Sequence, residues 1–321
     1  MLDRDVLCPV KGMGYQYEPG SELPVFVVQA NFIEGGVLEL DADLVAVEQR
    51  DADKIVPLLK DGEAPASHDS MRRPSALKAH ATPSTESKKG PKQAVWIYWR
   101  FSAQQLEDLK KDASSGRAWV STNDAITALL VQRLTAARIA EGRVSKDEIM
   151  QLQRAVDSRS VLNPLIGEDY LGHLVALADK SWKTAQEVAG SSLTDVAVDV
   201  AVDVRESLKA VDDHFIRSLV TLIRNTEDKT TIFYGAGNTA GWDFLCSSWA
   251  QLHWLNNCDF GKGLGCPDFV RRARMAPVPD LTYIMPNNKK GDMYVATSLF
   301  YEDFVGLAND DVWRARAKLV G

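Results

Sequence analysis

Cysteine is scarce in this chain: four residues in 321, at Cys8, Cys246, Cys258 and Cys266, with no Cys-x-x-Cys spacing. A chain of this length needs no covalent staples, so the pattern points to a reducing, cytoplasmic compartment. A basic excess is missing too. Lys and Arg number 37 against 44 Asp and Glu, the net charge is −7 and the pI is near 5.4. No positive field is available to hold a phosphate backbone, which excludes nucleic acid as the expected partner. No apolar run approaches membrane-spanning length, and no basic flank precedes an apolar run near Met1, so a soluble chain without a signal peptide or membrane partner is expected. Gly-x-Ser-x-Gly is absent, which argues against a serine hydrolase. Phe233 to Gly241, FYGAGNTAG, lacks Gly-x-Gly-x-x-Gly spacing and carries no nucleotide signature.

What is present is ordinary globular composition, with 45% hydrophobic and 25% charged residues, enough for one large or two medium domains. Val25 to Ile33 is β-branched and aromatic, and Glu34-Gly35-Gly36 turns the chain into Val37 to Leu40, a hairpin candidate. From Asp61 to Gln93 the composition shifts to Pro, Ser, Lys, Ala and Thr, which reads as a linker or long crossover. His68 and His80 lie in it and read as solvated loop residues, because no partner stands at metal-ligand spacing; no metal is expected. Ala94 to Phe101 resumes as a strand. Ser102 caps a helix over Ala103 to Ala113, and Ser121-Thr122-Asn123-Asp124 caps another over Ala125 to Ile139. Strands are expected at Ala155 to Arg159 and Leu174 to Leu177, then helices at Ser192 to Ala210 and Val211 to Arg224. Leu281 to Pro286 and Met293 to Leu299 read as an antiparallel pair, followed by Glu302 and Asp303 on the solvated start of a helix.

The most informative stretch is Leu245 to Arg272, LCSSWAQLHWLNNCDFGKGLGCPDFVRR. Ser247-Ser248-Trp249 sets two hydroxyls beside an indole. Asp259-Phe260-Gly261-Lys262-Gly263, then Leu264-Gly265, puts three glycines within five residues and forces a tight loop. Taken alone, that loop is a structural turn whose aspartate caps backbone amides. As an ordered set, Ser-Ser-Trp, a spacer, DFGxGLG and PDFVRR resemble the C-terminal signature of the BAHD acyl-CoA-dependent acyltransferases, in their fungal trichothecene 3-O-acetyltransferase-like branch. VFVVQANFIEGGVLEL, VSTNDAITALLVQRL, AVDSRS…EDYLGHLV and YIMPNNKKGDMYVATSLFYEDF are similar to further segments of that branch.

The resemblance implies an α/β, chloramphenicol-acetyltransferase-like fold of two halves with mixed sheets and flanking helices. Here the N-terminal half would be incomplete: a remnant over 1–60, a crossover over 61–94 and the C-terminal half over 95–321. It implies acyl-CoA as co-substrate with no permanently bound cofactor, a small-molecule hydroxyl as acceptor, and a monomer. Ser247 and Trp249 match positions beside the tetrahedral intermediate. Ser121 and Thr122 match the helix start near the CoA arm, with plain N-capping the reading from the residues alone. Asp259, Phe260, Gly261 and Gly263 match the structural loop, and Arg159 matches the arginine that pairs with its aspartate. One departure is decisive. The family's His-x-x-x-Asp would fall where Leu40 runs into Asp41-Ala42-Asp43, and none of His68, His80, His173, His214 and His253 has an aspartate four residues on. His173 stands where the family usually has asparagine, and reads as structural or as a displaced base. The expected activity is therefore O-acyl transfer, with a catalytically inactive relative as the alternative.

Overall fold

The computed structural model describes residues 56–68, 94–114, 119–163, 174–190, 198–228, 231–232, 244–252, 256–268, 270–272 and 277–321. The expected hairpin over Val25 to Leu40, Asp41 to Asp43, His80, His173, His253 and the 233–241 segment lie outside the described residues. The ordered elements are β1 (Ala94–Phe101), α1 (Ala103–Ala113), α2 (Thr122–Ala140), β2 (Met150–Asp157), β3 (Val175–Trp182), α3 (Ala185–Ala189), α4 (Val198–Lys209), α5 (Asp213–Asn225), β4 (Phe244–Ser248), β5 (Leu281–Ile284), β6 (Met293–Phe300), α6 (Tyr301–Asn309), α7 (Asp311–Arg316) and β7 (Lys318–Leu319).

The strands make one seven-stranded mixed sheet in the order β3-β2-β4-β5-β6-β1-β7. Its centre, β2-β4-β5, is parallel, and the flanking pairs are antiparallel. β5 and β6 pair as their sequences suggest, Thr282 opposite Thr297 and Ile284 opposite Val295. Side chains that alternate along each strand separate two layers. Ile97, Trp99, Phe101, Met150, Leu152, Phe244, Cys246, Ile284, Val295 and Leu299 point into the main core with α2. Trp96, Tyr98, Leu245, Tyr283, Tyr294 and Ala296 point to the opposite face. α5 and residues 56–58 pack over the β2–β3 end on the face that Leu245 shares.

α2 is the organising helix of the main core. It is buried along nearly its whole length, from Asp124 to Ala136 and again at Arg138, so it is enclosed on every side rather than along one stripe. Its start follows from a capping box. The Ser121 hydroxyl accepts the Asp124 amide, and the Asp124 carboxylate accepts the Ser121 amide at 2.8 Å. The same device, Ser102 with Gln105, starts α1, whose Leu106, Leu109 and Ala113 recur at helical spacing on the buried side.

Three local expectations change in the structure. The strand expected at Ala155 to Arg159 is the end of a longer one, β2, and the chain turns into a short helical turn at Ser158–Ser160. Asp303 does not sit on a solvated face: it is fully buried, held by Arg138 (2.9 and 2.8 Å) and Arg143 (2.8 Å). Only Glu302 beside it is exposed. His68 is not solvated either. The 56–68 segment is tied onto α5 by Leu59 N to Thr221 Oγ1, Ala66 N to Ser218 Oγ and the Glu63–Arg217 ion pair, which carries His68 into a buried position against Phe215.

Candidate active site

β4 is the middle strand of the parallel run, so the carboxyl ends of β2, β4 and β5 open on the same edge of the sheet. In open α/β sheets this edge is where ligands collect, because the loops there can reach a common crevice. β4 ends in Ser247, Ser248 and then Trp249. Cys246 faces α2, where its sulfur lies 3.7 Å from Thr127 Oγ1 and burial pushes its thiol pKa up, so it is an inert packing residue. Ser247 alternates to the other face, in register with Tyr283. It is half-buried, and its hydroxyl has no hydrogen-bond partner among the described residues. Trp249 is fixed by its backbone amide, which donates to the Ile284 carbonyl at 2.7 Å, and by its ring, which meets Tyr283 edge-on at 5.4 Å.

Two cations complete this face. The Arg272 guanidinium lies over Tyr283 (4.5 Å) and Trp96 (5.0 Å), and that of Arg271 over Tyr98 (4.9 Å). Such placements hold a guanidinium against an aromatic surface. In the sequence the Arg271-Arg272 pair stands out only as part of the PDFVRR signature. The aromatic-rich β1, with Trp96 and Tyr98 on one face, was the signal that could have located it. A hydroxyl and an indole N–H together at one strand end are the kind of donors that suit a developing oxyanion.

The Asp259 loop is closed by its own hydrogen bonds. Asp259 Oδ1 accepts the Gly261 amide at 2.9 Å, and the loop closes through Phe260 N to Gly265 O (3.0 Å) and Gly265 N to Gly261 O (2.7 Å). Gly261 sits at φ +86°, which only glycine adopts without strain, whereas Gly263 does not need that region. Phe260 is exposed. The expected Arg159–Asp259 pair is replaced by a local one. Arg159 bonds Asp157 through Nε (2.9 Å) and Nη2 (2.6 Å), two residues back across the turn that ends β2. Proximity in sequence decides this, because the short turn presents carboxylate and guanidinium to each other with little chain to order.

At the α2 start, the Ser121 hydroxyl is committed to Asp124, at 2.7 Å from Oδ2. Asp124 is fully buried and also takes Arg154 (2.7 Å) and Arg205 (2.7 Å). The capping reading of Ser121 therefore describes its side chain, and Thr122 follows it half-buried at the first helical position. Thr127, a little further along, touches Cys246 on β4. The helix start and the Ser247–Trp249 strand end are thus braced through the same core.

A mixed sheet with helices on both faces and a polar, aromatic strand end at the parallel centre defines an α/β fold of the chloramphenicol-acetyltransferase type. The sequence model of the Transferase family matches residues 50–311. The chain belongs to that family, the BAHD acyltransferases. It is 28% identical to the O-acyltransferase pigD of Monascus ruber over 358 positions, covering all of this chain and 76% of that protein. It is 27% identical to the trichothecene 3-O-acetyltransferase TRI101 of Fusarium sporotrichioides, covering 100% of this chain and 74% of that one. Among solved structures it superposes on F. sporotrichioides TRI101 complexed with coenzyme A and T-2, with TM-score 0.69 and 27% identity. It also superposes on F. graminearum TRI101 complexed with coenzyme A and deoxynivalenol, with TM-score 0.70 and 28% identity. Each superposition covers 83% of this chain and 57% of the other. The chain thus spans about three quarters of its curated relatives' length, and its superposed part little more than half of the solved ones. The pigD comparison runs over 358 positions against 321 residues, so 37 or more positions of that relative face no residue here.

Proposed function

We propose that the chain is an acyl-CoA-dependent O-acyltransferase of the family's secondary-metabolite branch, moving a short acyl group from the CoA thioester to a hydroxyl of a small molecule. The observation that carries this is Ser247-Ser248-Trp249 at the carboxyl end of the central parallel strand, beside Tyr283 and under Arg272. Relatives solved with coenzyme A support the co-substrate, and relatives named as O-acetyltransferases support the reaction. In this reading the acceptor hydroxyl attacks the thioester carbonyl, the C–S bond breaks, and the hydroxyl proton ends on the departing CoA sulfur. The Ser247 hydroxyl and Trp249 indole N–H receive the developing oxyanion. Because the Ser121 side chain is occupied by Asp124, any contact of the α2 start with the CoA arm runs through its backbone amides. Asp259, Phe260, Gly261 and Gly263 shape the neighbouring loop and take no part in the chemistry. The acceptor is a single small molecule, and the chain acts as a cytoplasmic monomer.

One observation favours a second reading. No histidine of this chain stands in His-x-x-x-Asp, and the unmatched positions of the relatives offer room for that motif. A base contributes about 10²–10⁴ in rate, so a chain without it would bind acyl-CoA and turn over slowly or not at all. Titration calorimetry with acetyl-CoA, followed by a thiol-release assay with a panel of secondary alcohols, separates the readings. Binding with alcohol-dependent thiol release supports the transferase. Binding without release supports the inactive relative, and absence of binding sinks both.

A further inference from the structure

A cavity of about 660 Å³ lies between residues 59–68 and α5, within the ~300–1,000 Å³ range of small-molecule sites. None of Ser121, Thr122, Ser247 or Trp249 lines it. Its unusual feature is Ser218. Thr221 on the same helix, and Thr226 at its C-cap, turn their hydroxyls back onto the carbonyls of Arg217 and Leu222, at 2.8 and 2.7 Å, the usual habit of a helical hydroxyl. Ser218 does not. Its Oγ accepts the Ala66 amide at 2.9 Å and lies 2.9 Å from His68 Nε2. In the tautomer that carries the ring proton on Nδ1, the one this centre requires, the hydroxyl donates to Nε2. The imidazole is braced edge-on against Phe215, with centroids 4.6 Å apart. A serine hydroxyl donating to a fixed imidazole is the nucleophile–base arrangement of covalent acyl chemistry.

We propose that Ser218 and His68 form a second reactive centre, where Ser218 is acylated by small activated acyl groups, thioester or oxyester, and water then releases the acid. Ser218 Oγ forms the bond to the acyl carbon as its proton passes to His68 Nε2. The C–S or C–O bond breaks, and the leaving group takes that proton. In the second half His68 removes a proton from water, the hydroxide attacks the acyl ester, and Ser218 Oγ recovers its proton. Lys60 and Asn225 line the same cavity, and Leu59, Pro65 and Leu222 supply apolar wall. Ser218 is only 1% exposed, so the acyl group must be acetyl-sized.

This centre does not depend on the acyltransferase reading, and its test uses no CoA-binding readout. The full chain is treated with a small fluorophosphonate and the labelled peptide mapped. The expected label falls on Ser218, disappears in Ser218→Ala and slows by about 10²-fold in His68→Gln. Parallel incubations with acetyl-CoA and p-nitrophenyl acetate are mapped for acetyl-Ser218. Acetylation by either reagent supports the centre and tells which leaving group it accepts. The map is read on the unaltered chain, so it stands even if a variant fails to fold. A chain unlabelled by all three reagents, or labelled only at other residues, overturns the proposal.

Discussion

Asp303→Ala should be among the most damaging single changes at a polar residue of this protein. The carboxylate is fully buried at the first turn of α6 and receives Arg138 Nε at 2.9 Å, Arg138 Nη2 at 2.8 Å and Arg143 Nη1 at 2.8 Å. Removing it leaves two guanidinium groups facing one remaining buried carboxylate, Asp280, which reaches Arg138 at 2.5 Å. Breaking a buried ion pair from one side costs roughly 3–5 kcal/mol, because the abandoned charge has no water to return to. Taking about 4 kcal/mol and an unfolding entropy of roughly 2.1 cal/mol/K per residue, the melting temperature should fall by about 6 °C. Arg143→Ala provides the contrast. Its side chain is partly exposed and leaves Asp303 paired with Arg138, so its cost should be about 1 kcal/mol. Scanning calorimetry and urea unfolding of the two variants beside the parent measure this. If Asp303→Ala melts within about 1 °C of the parent, the cluster does not hold the helix layer to the sheet and the reasoning fails.

Three further outcomes follow from the same geometry. Burial pushes the Asp280 carboxyl up to about 6, against the pull of Arg138. Its folded value lies above its unfolded one, so its contribution is full below about pH 4 and is lost as pH rises to about 6. Asp280→Asn, which tolerates the φ of +62° there, should therefore gain stability relative to the parent across that window in urea titrations; a constant difference would contradict the shift. Ser121→Ala removes the α2 cap and one donor to Asp124, and should cost about 1–2 kcal/mol by urea unfolding. Ser247→Ala should lower turnover by about 10²–10³ while leaving the acetyl-CoA dissociation constant unchanged; an equal loss in binding would make Ser247 a binding residue instead.

Amino-acid order alone determined whatever depends on neighbours within a few residues. Ser102 with Gln105 and Ser121 with Asp124 form capping boxes because three residues separate cap from partner, a distance the backbone spans in any context. Gly261 at φ +86° follows from the Asp259 loop, and the β5–β6 pair from two apolar runs joined by a polar turn. The Leu245 to Arg272 signature, read as a set, also identified the family, because the order of short motifs survives where overall identity is low. Only the tertiary structure decided which distant groups meet. The parallel centre brings Leu152, Phe244 and the β5 strand side by side across long crossovers. That alignment places Tyr283 beside Ser247, and the antiparallel β5-β6-β1 pairing sets Trp96 and Tyr98 on the face that Arg271 and Arg272 cover. Asp303 looked solvated because its partner Arg138 lies 165 residues away, and His68 looked like linker because Ser218 lies 150 residues on. Arg159 went the other way, finding Asp157 two residues back instead of Asp259. A charge takes the partner that the folded chain brings within reach, and residue type in a linear pattern does not encode that distance.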